Sequence, residues 1–152
     1  MTHDELLARE SIRDVIARYN HAGDRGRLDE LVLCFAEDGA MDLEGAPPMV
    51  GRAAIREHLA EVAGRLAARS ERAMLRHHVS SVRILLADRE RAQAWSCFIA
   101  FTEIGIDHWG RYADRLVRRG DEWLFALRTV RVDGSAPGSR MLGGEQDSNE
   151  RP

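Results

Sequence analysis

The stretch MLRHHVSSVRILLADRERAQAWSCFIAFTE, residues 74–103, is where the hydrophobic periodicity of this chain changes. Upstream of it, apolar residues recur at helical spacing; from residue 74 onward the pattern is that of strands broken by short polar turns. Strands are predicted at about 75–87, 91–103, 107–118 and 122–133, with ADRER and RRGDE as turns. Successive strands with connections this short pair antiparallel. The stretch also sets His77 beside His78. Neighbouring strand residues point to opposite faces, so at most one of the two lines an interior.

Three helices are predicted before the strands. Thr2 and Glu5 form a capping box ahead of Leu6, Leu7, Ile12, Val15, Ile16 and Tyr19, and Gly23 is a plausible stop. A short second helix carries Leu28, Leu31, Val32 and Phe35. AEDGAMDLEGAPP then reads as turn, short strand and turn. In GRAAIREHLAEVAGRL, residues Ile55, Leu59, Val62 and Leu66 share one helical face. Helices grouped ahead of strands argue for an α+β fold, a curved antiparallel sheet with helices covering one face. The domain is expected to span residues 1–133, and the poorly apolar segment 134–152 reads as a mobile tail.

Composition narrows the function classes. At 152 residues the chain suits one domain. A net charge of −3 gives no basic field for nucleic acid. MTHDELLARE lacks the apolar run of a signal peptide, and no stretch approaches the ~18–20 apolar residues of a membrane span. A cytoplasmic protein without membrane or nucleic-acid partners is expected. All 22 basic residues are arginine, which excludes Schiff-base chemistry and a lysine general base. Cys34 and Cys97 lack C-x-x-C spacing and read as small hydrophobes in a reduced compartment. There is no G-x-S-x-G, P-loop or G-x-G-x-x-G motif.

The candidate functional residues each have a plainer reading. Asp24 follows the first helix and suits the N-cap of the second. Tyr19 lies on the apolar face of the first helix, either as a core tyrosine or as a hydrogen-bond donor to a developing oxyanion. His3 and His58 have polar neighbours and read as solvated, while His21 suits the end of a helix dipole. His77, His78 and His108 fall on strands, where a lone histidine is more often structural than catalytic. A metal site is disfavoured, since adjacent histidines cannot both face one ion and no H-E-x-x-H spacing exists. Arg128 shares a strand face with Leu124, Ala126, Val130 and Val132. A charge there needs a carboxylate partner or an anionic ligand. Trp95, Phe98, Phe101, Trp109 and Tyr112 are aromatic pocket candidates, but parity alone cannot say which of them face inward.

Over roughly residues 3–133 the chain resembles the SnoaL-like branch of the nuclear transport factor 2-like superfamily. The matching phrases are IARYNHAGDRGRLDELVLCFAEDGAMDLEG, GRAAIREHL, RHHVSSVRI and GRYADRLVRRGDEWLFALR. The resemblance implies a cone-shaped curved sheet wrapped by three helices, a deep apolar pocket and frequent dimerisation through the sheet's outer face. Lyases and isomerases of this branch include scytalone dehydratase, bile-acid dehydratase and lindane dehydrochlorinase. Their essential aspartate matches Asp24, and their essential histidine matches His77 in the phrase HHV. A polar residue five before the aspartate matches Tyr19. An arginine five after the final-strand tryptophan matches Arg128, and a second histidine falls close to His108. The early-strand tyrosine of scytalone dehydratase is replaced by Leu43, and Asp42 is on the wrong parity to act instead.

The implied chemistry is a cofactor-independent elimination or isomerisation on a small apolar or aromatic carbonyl or hydroxy compound. Asp24 would fix the tautomer of His77 and His77 would be the general base. Tyr19, Arg128 and His108 would stabilise the developing charge. Trp95, Phe98, Tyr112 and Leu43 would contact the substrate. The alternatives are a non-catalytic small-molecule-binding module, or a polyketide cyclase or epoxide hydrolase on the same fold.

Overall fold

The first helix forms where the capping box places it. In α1 (His3–Gly23), the Glu5 amide donates to Thr2 Oγ1 at 3.2 Å and the Thr2 amide donates to Glu5 Oε2 at 2.8 Å. Two amides that helix geometry leaves orphaned are thereby satisfied, worth ~1 kcal/mol. The face carrying Ile12, Val15, Ile16 and Tyr19 is buried. The computed structural model describes residues 1–70 and 74–142. After α1 come α2 (Leu28–Val32), β1 (Phe35–Leu43), β2 (Met49–Val50) and α3 (Arg52–Arg69). The strands β3 (Arg76–Leu86), β4 (Arg91–Thr102), β5 (Gly105–Arg119) and β6 (Glu122–Ser135) follow.

All six strands form one sheet in the order β2-β1-β6-β5-β4-β3. The β3–β6 meander is antiparallel, as its short turns require. β1 departs from the expected antiparallel sheet: it lies parallel to β6, with Phe35 opposite Phe125 and Leu43 opposite Val130. The reason is the route of the chain. After β2 the chain passes through α3 to the far edge of the sheet, where β3 begins, and the meander then returns to close against β1.

Register shifts at Ser80/Arg83, Ala100/Phe101, Trp109/Gly110 and Arg115/Leu116 bend the long strands. The sheet curls into an open α+β cone. Gly110 sits at one of these shifts, where a Cβ would collide with the Arg131 carbonyl. Ile12, Val15 and Ile16 from α1 pack in one core with Phe35 and Met41 of β1, Ile55 of α3, and Trp123 and Phe125 of β6. Arg52 ties α3 to β1 by donating to the Phe35 carbonyl through Nε at 2.9 Å and Nη2 at 2.7 Å.

β6 runs to Ser135, so the domain boundary expected after residue 133 falls inside a strand. The Ala136 amide continues the pairing by donating to the Asp107 carbonyl at 2.8 Å. Residues 143–152 of the expected tail lie outside the described residues. Among the described residues no helix is long and apolar enough to cross a membrane.

Candidate functional site

Asp24 ends α1 as its C-cap residue, and its carboxylate turns toward β3. Its Oδ1 lies 2.6 Å from His77 Nδ1, and its Oδ2 accepts from the His77 amide at 3.0 Å. One carboxylate thus grips both the ring and the backbone of the first long strand. Asp24 is not the N-cap of α2: that position is Arg27, with no side-chain cap bond. An ionised carboxylate only accepts, so Nδ1 of His77 carries the proton and Nε2 is the ring nitrogen with a free lone pair. His78 is exposed, on the opposite face from His77, as alternation demands.

A second pair of the same kind lies beside it on the same wall of the cavity. His108 Nδ1 is 2.9 Å from Oδ1 of Asp107, and both residues are buried. The His77 and His108 ring centroids are 6.5 Å apart with nearly perpendicular planes. Burial holds the His108 pKa below the ordinary histidine value; Asp107 opposes this, and His77 adds to it. The Asp107 carboxyl is pushed up by burial. Four donors outweigh that, from Ser139, the Arg140 amide, His108 and Thr102, so its pKa lies below the usual value.

The floor of the site is aromatic, with a buried cation behind it. Phe98 and Tyr112 stack with centroids 4.7 Å apart, and Tyr19 meets Tyr112 edge-on at 6.5 Å. The Arg128 guanidinium packs 4.2 Å from the Tyr19 ring, 4.2 Å from Tyr112 and 4.1 Å from Phe125. It is 0% exposed and bidentate to Asp114, with Nε–Oδ1 at 2.9 Å and Nη2–Oδ2 at 2.8 Å. Asp114 and Arg128 are direct cross-strand partners. Burial raises the pKa of both tyrosine hydroxyls, with Arg128 opposing, so both remain donors at neutral pH.

These groups surround a cavity of ≈ 940 Å³ between the concave sheet and the helices. Tyr19, Asp24, His77, His108, Phe98, Tyr112 and Leu43 all line it. Two sequence expectations change here. Trp95 is 38% exposed on the outer face of β4, with Arg83 5.8 Å over its ring. The alternation that turns Phe98 inward turns Trp95 outward. Arg128 is absent from the cavity wall, because the tyrosine rings cover it and Asp114 occupies its fork; it is the structural ion pair that a charge on an apolar face requires. Asp42 pairs with Arg131 at 2.9 Å and does not line the cavity.

The sequence reading missed three groups. His58 lines the cavity from α3 rather than being fully solvated; it falls on the Ile55–Leu59–Val62 face, a signal that was present. Asn20 also lines the cavity. Its Nδ2 donates to the Ile16 carbonyl at 2.8 Å, and its buried Oδ1 has no partner among the described residues. Asp107 had no signal, since Ser139 and Arg140 are remote in sequence. A shallower cleft along α1 and α2 contains Arg18, Arg25 and Arg27, already paired with Glu122, His21 and Glu30. Among the described residues no three His, Cys, Asp or Glu side chains cluster to hold a metal ion.

A helix-covered α+β cone with a polar end to its apolar cavity defines a class of small single-domain proteins. Residues 4–129 match the model of the SnoaL-like domain, and the chain belongs to that family. Among solved structures it is similar to a Novosphingobium aromaticivorans protein provisionally described as a scytalone dehydratase. That likeness has 21% identity and a TM-score of 0.74, over 96% of this chain and 100% of that one. It is also similar to LinA, at 17% identity and a TM-score of 0.72 over 96% and 97% of the two chains. A Catenulispora acidiphila protein solved in complex with S-DNPA is 26% identical, with a TM-score of 0.68 over 83% and 93%. No curated protein matches.

Proposed function

We propose that this protein is a cofactor-independent lyase or isomerase of the dehydratase type, acting on a small apolar or aromatic carbonyl or hydroxy compound. The observation that carries this reading is the 2.6 Å contact between Asp24 and His77 at the polar end of an otherwise largely apolar cavity. Asp24 holds Nδ1–H, His77 Nε2 removes a proton from carbon beside a carbonyl or leaving group, and Asp24 stabilises the imidazolium that forms. The Tyr19 hydroxyl donates to the developing enolate or departing oxygen, and His108 is the second proton-transfer group on the same wall. Arg128 supports the Tyr19 and Tyr112 rings from behind. Phe98, Tyr112 and Leu43 shape the site for an apolar substrate.

The test is a screen of β-hydroxy ketones and hydroxylated aromatics, read by ultraviolet absorbance of the conjugated product. His77→Ala and Asp24→Asn are each expected to abolish turnover while leaving the fold intact, and His78→Phe to be tolerated. Full activity in His77→Ala would overturn the reading. A non-catalytic binding module is favoured by one observation, the withdrawal of Arg128 from the cavity wall. It predicts ligand binding with no turnover. The outer face of β3–β5, with Leu85, Trp95, Ile99 and Trp109 exposed, is proposed to pack against a second copy of the chain.

A further inference from the structure

We propose that Asp107 is a positioning residue that fixes which ring nitrogen of His108 faces the cavity. Ser139 and Arg140, beyond the last strand, are parts of the same device. The proposal rests on the reading of the cavity as the reacting site, and it adds residues that neither motif nor spacing marks. Asp107 is 0% exposed and its two oxygens accept four hydrogen bonds. Oδ1 accepts from His108 Nδ1 at 2.9 Å and from Ser139 Oγ at 2.6 Å. Oδ2 accepts from the Arg140 amide at 2.6 Å and from Thr102 Oγ1 at 3.1 Å. Four donors keep this buried carboxylate ionised and fix its orientation toward His108.

The consequence is for the proton on His108. Because Asp107 only accepts, Nδ1 carries the hydrogen, and Nε2 is left with its lone pair toward the cavity that His108 lines. His77 is arranged in the same way by Asp24. The wall therefore presents two proton-accepting nitrogens, each backed by a carboxylate. The segment that supplies Ser139 and the Arg140 amide also supplies Met141 and Leu142 to the cavity lining. One segment thus both walls the cavity and holds the carboxylate that sets the His108 tautomer. The titratable groups facing His108 are Asp107 on its own strand and His77 two strands away on the same wall, with Asp24 behind it.

Long-range proton–nitrogen correlation spectra of the ¹⁵N-labelled full chain, taken through a pH titration, test this without any substrate. In the unaltered protein the unprotonated nitrogen of His108 is expected to be Nε2. In Asp107→Asn the Arg140 amide can still only donate, so the carboxamide oxygen must stay on that side. Its NH₂ group then faces His108, and the unprotonated nitrogen switches to Nδ1. The His108 pKa falls in that variant. Ser139→Ala removes the donor that competes for Oδ1, so the tautomer is kept and the His108 pKa rises. The His77 tautomer is unchanged in both and is the internal control. A folded Asp107→Asn protein that keeps the original tautomer overturns the proposal. If that variant does not fold, Ser139→Ala decides: a rise supports the device, while no change or a fall overturns it. Failure of the catalytic reading would show instead as activity surviving His77→Ala.

Discussion

Arg128 shows how a residue can demand a partner without naming it. Its place between Ala126 and Val130 says that a charge is buried and must be neutralised. The neutralising group is Asp114, directly across on β5, rather than a ligand. Removing one partner strands the other in the core. Arg128→Ala is expected to cost ~3–5 kcal/mol of stability in denaturant melts. A double replacement of Arg128 and Asp114 by apolar residues of similar volume should cost much less. Tyr19 separates packing from chemistry. Tyr19→Phe keeps the edge-on ring contacts with Phe35 and Phe125 and should leave the melting temperature nearly unchanged. It should lower kcat by ~10²–10³-fold if the hydroxyl donates in the transition state.

The elements were legible because each is locally consistent. The Thr2–Glu5 box, the apolar face of α3 and the turns between long strands are patterns of short range. What stayed hidden is where an element leaves its regular period. Asp107 and His108 are neighbours on β5, yet both are buried, against simple alternation. The register shift at Ala100/Phe101 re-aims the strand there, and Ser139 and Arg140 cover the Asp107 side. Gly110, past the next shift, is a test of the same geometry. Gly110→Ala should destabilise the fold by ~1–3 kcal/mol, the usual cost of overpacking, seen as a lower denaturation midpoint.

For the whole molecule, the second Asp–His pair gives stability a direction with pH. Folding lowers the His108 pKa through burial, and lowers that of Asp107 because its donors outweigh burial. Both groups therefore bind protons more readily in the unfolded chain. Their contribution is complete above the unfolded values, ~6.5 for histidine and ~3.9 for aspartate, and is lost as the pH falls. The melting temperature should drop as the pH is lowered from about 7.5 to about 5, and drop less in His108→Phe. The outer face of the sheet makes its own prediction. Trp109→Asp should convert the proposed dimer to a monomer in sedimentation while leaving the helical circular dichroism signal in place.

The sequence by itself determined the α+β class, the order of helices and strands, and the family. The class and the order follow from period, caps and turns, each fixed by residues within a few positions of one another; the family follows from resemblance along the whole chain. It also named His77 over His78 through resemblance, and the parity rule agrees with that choice. Only the tertiary structure decided that β1 lies parallel to β6, that Trp95 faces outward, that Arg128 is spent on Asp114, and that Asp107 backs His108. Each of those rests on a contact between residues far apart in the chain, or on a register shift. Local propensity does not carry that information; the packing of the curved, open cone does.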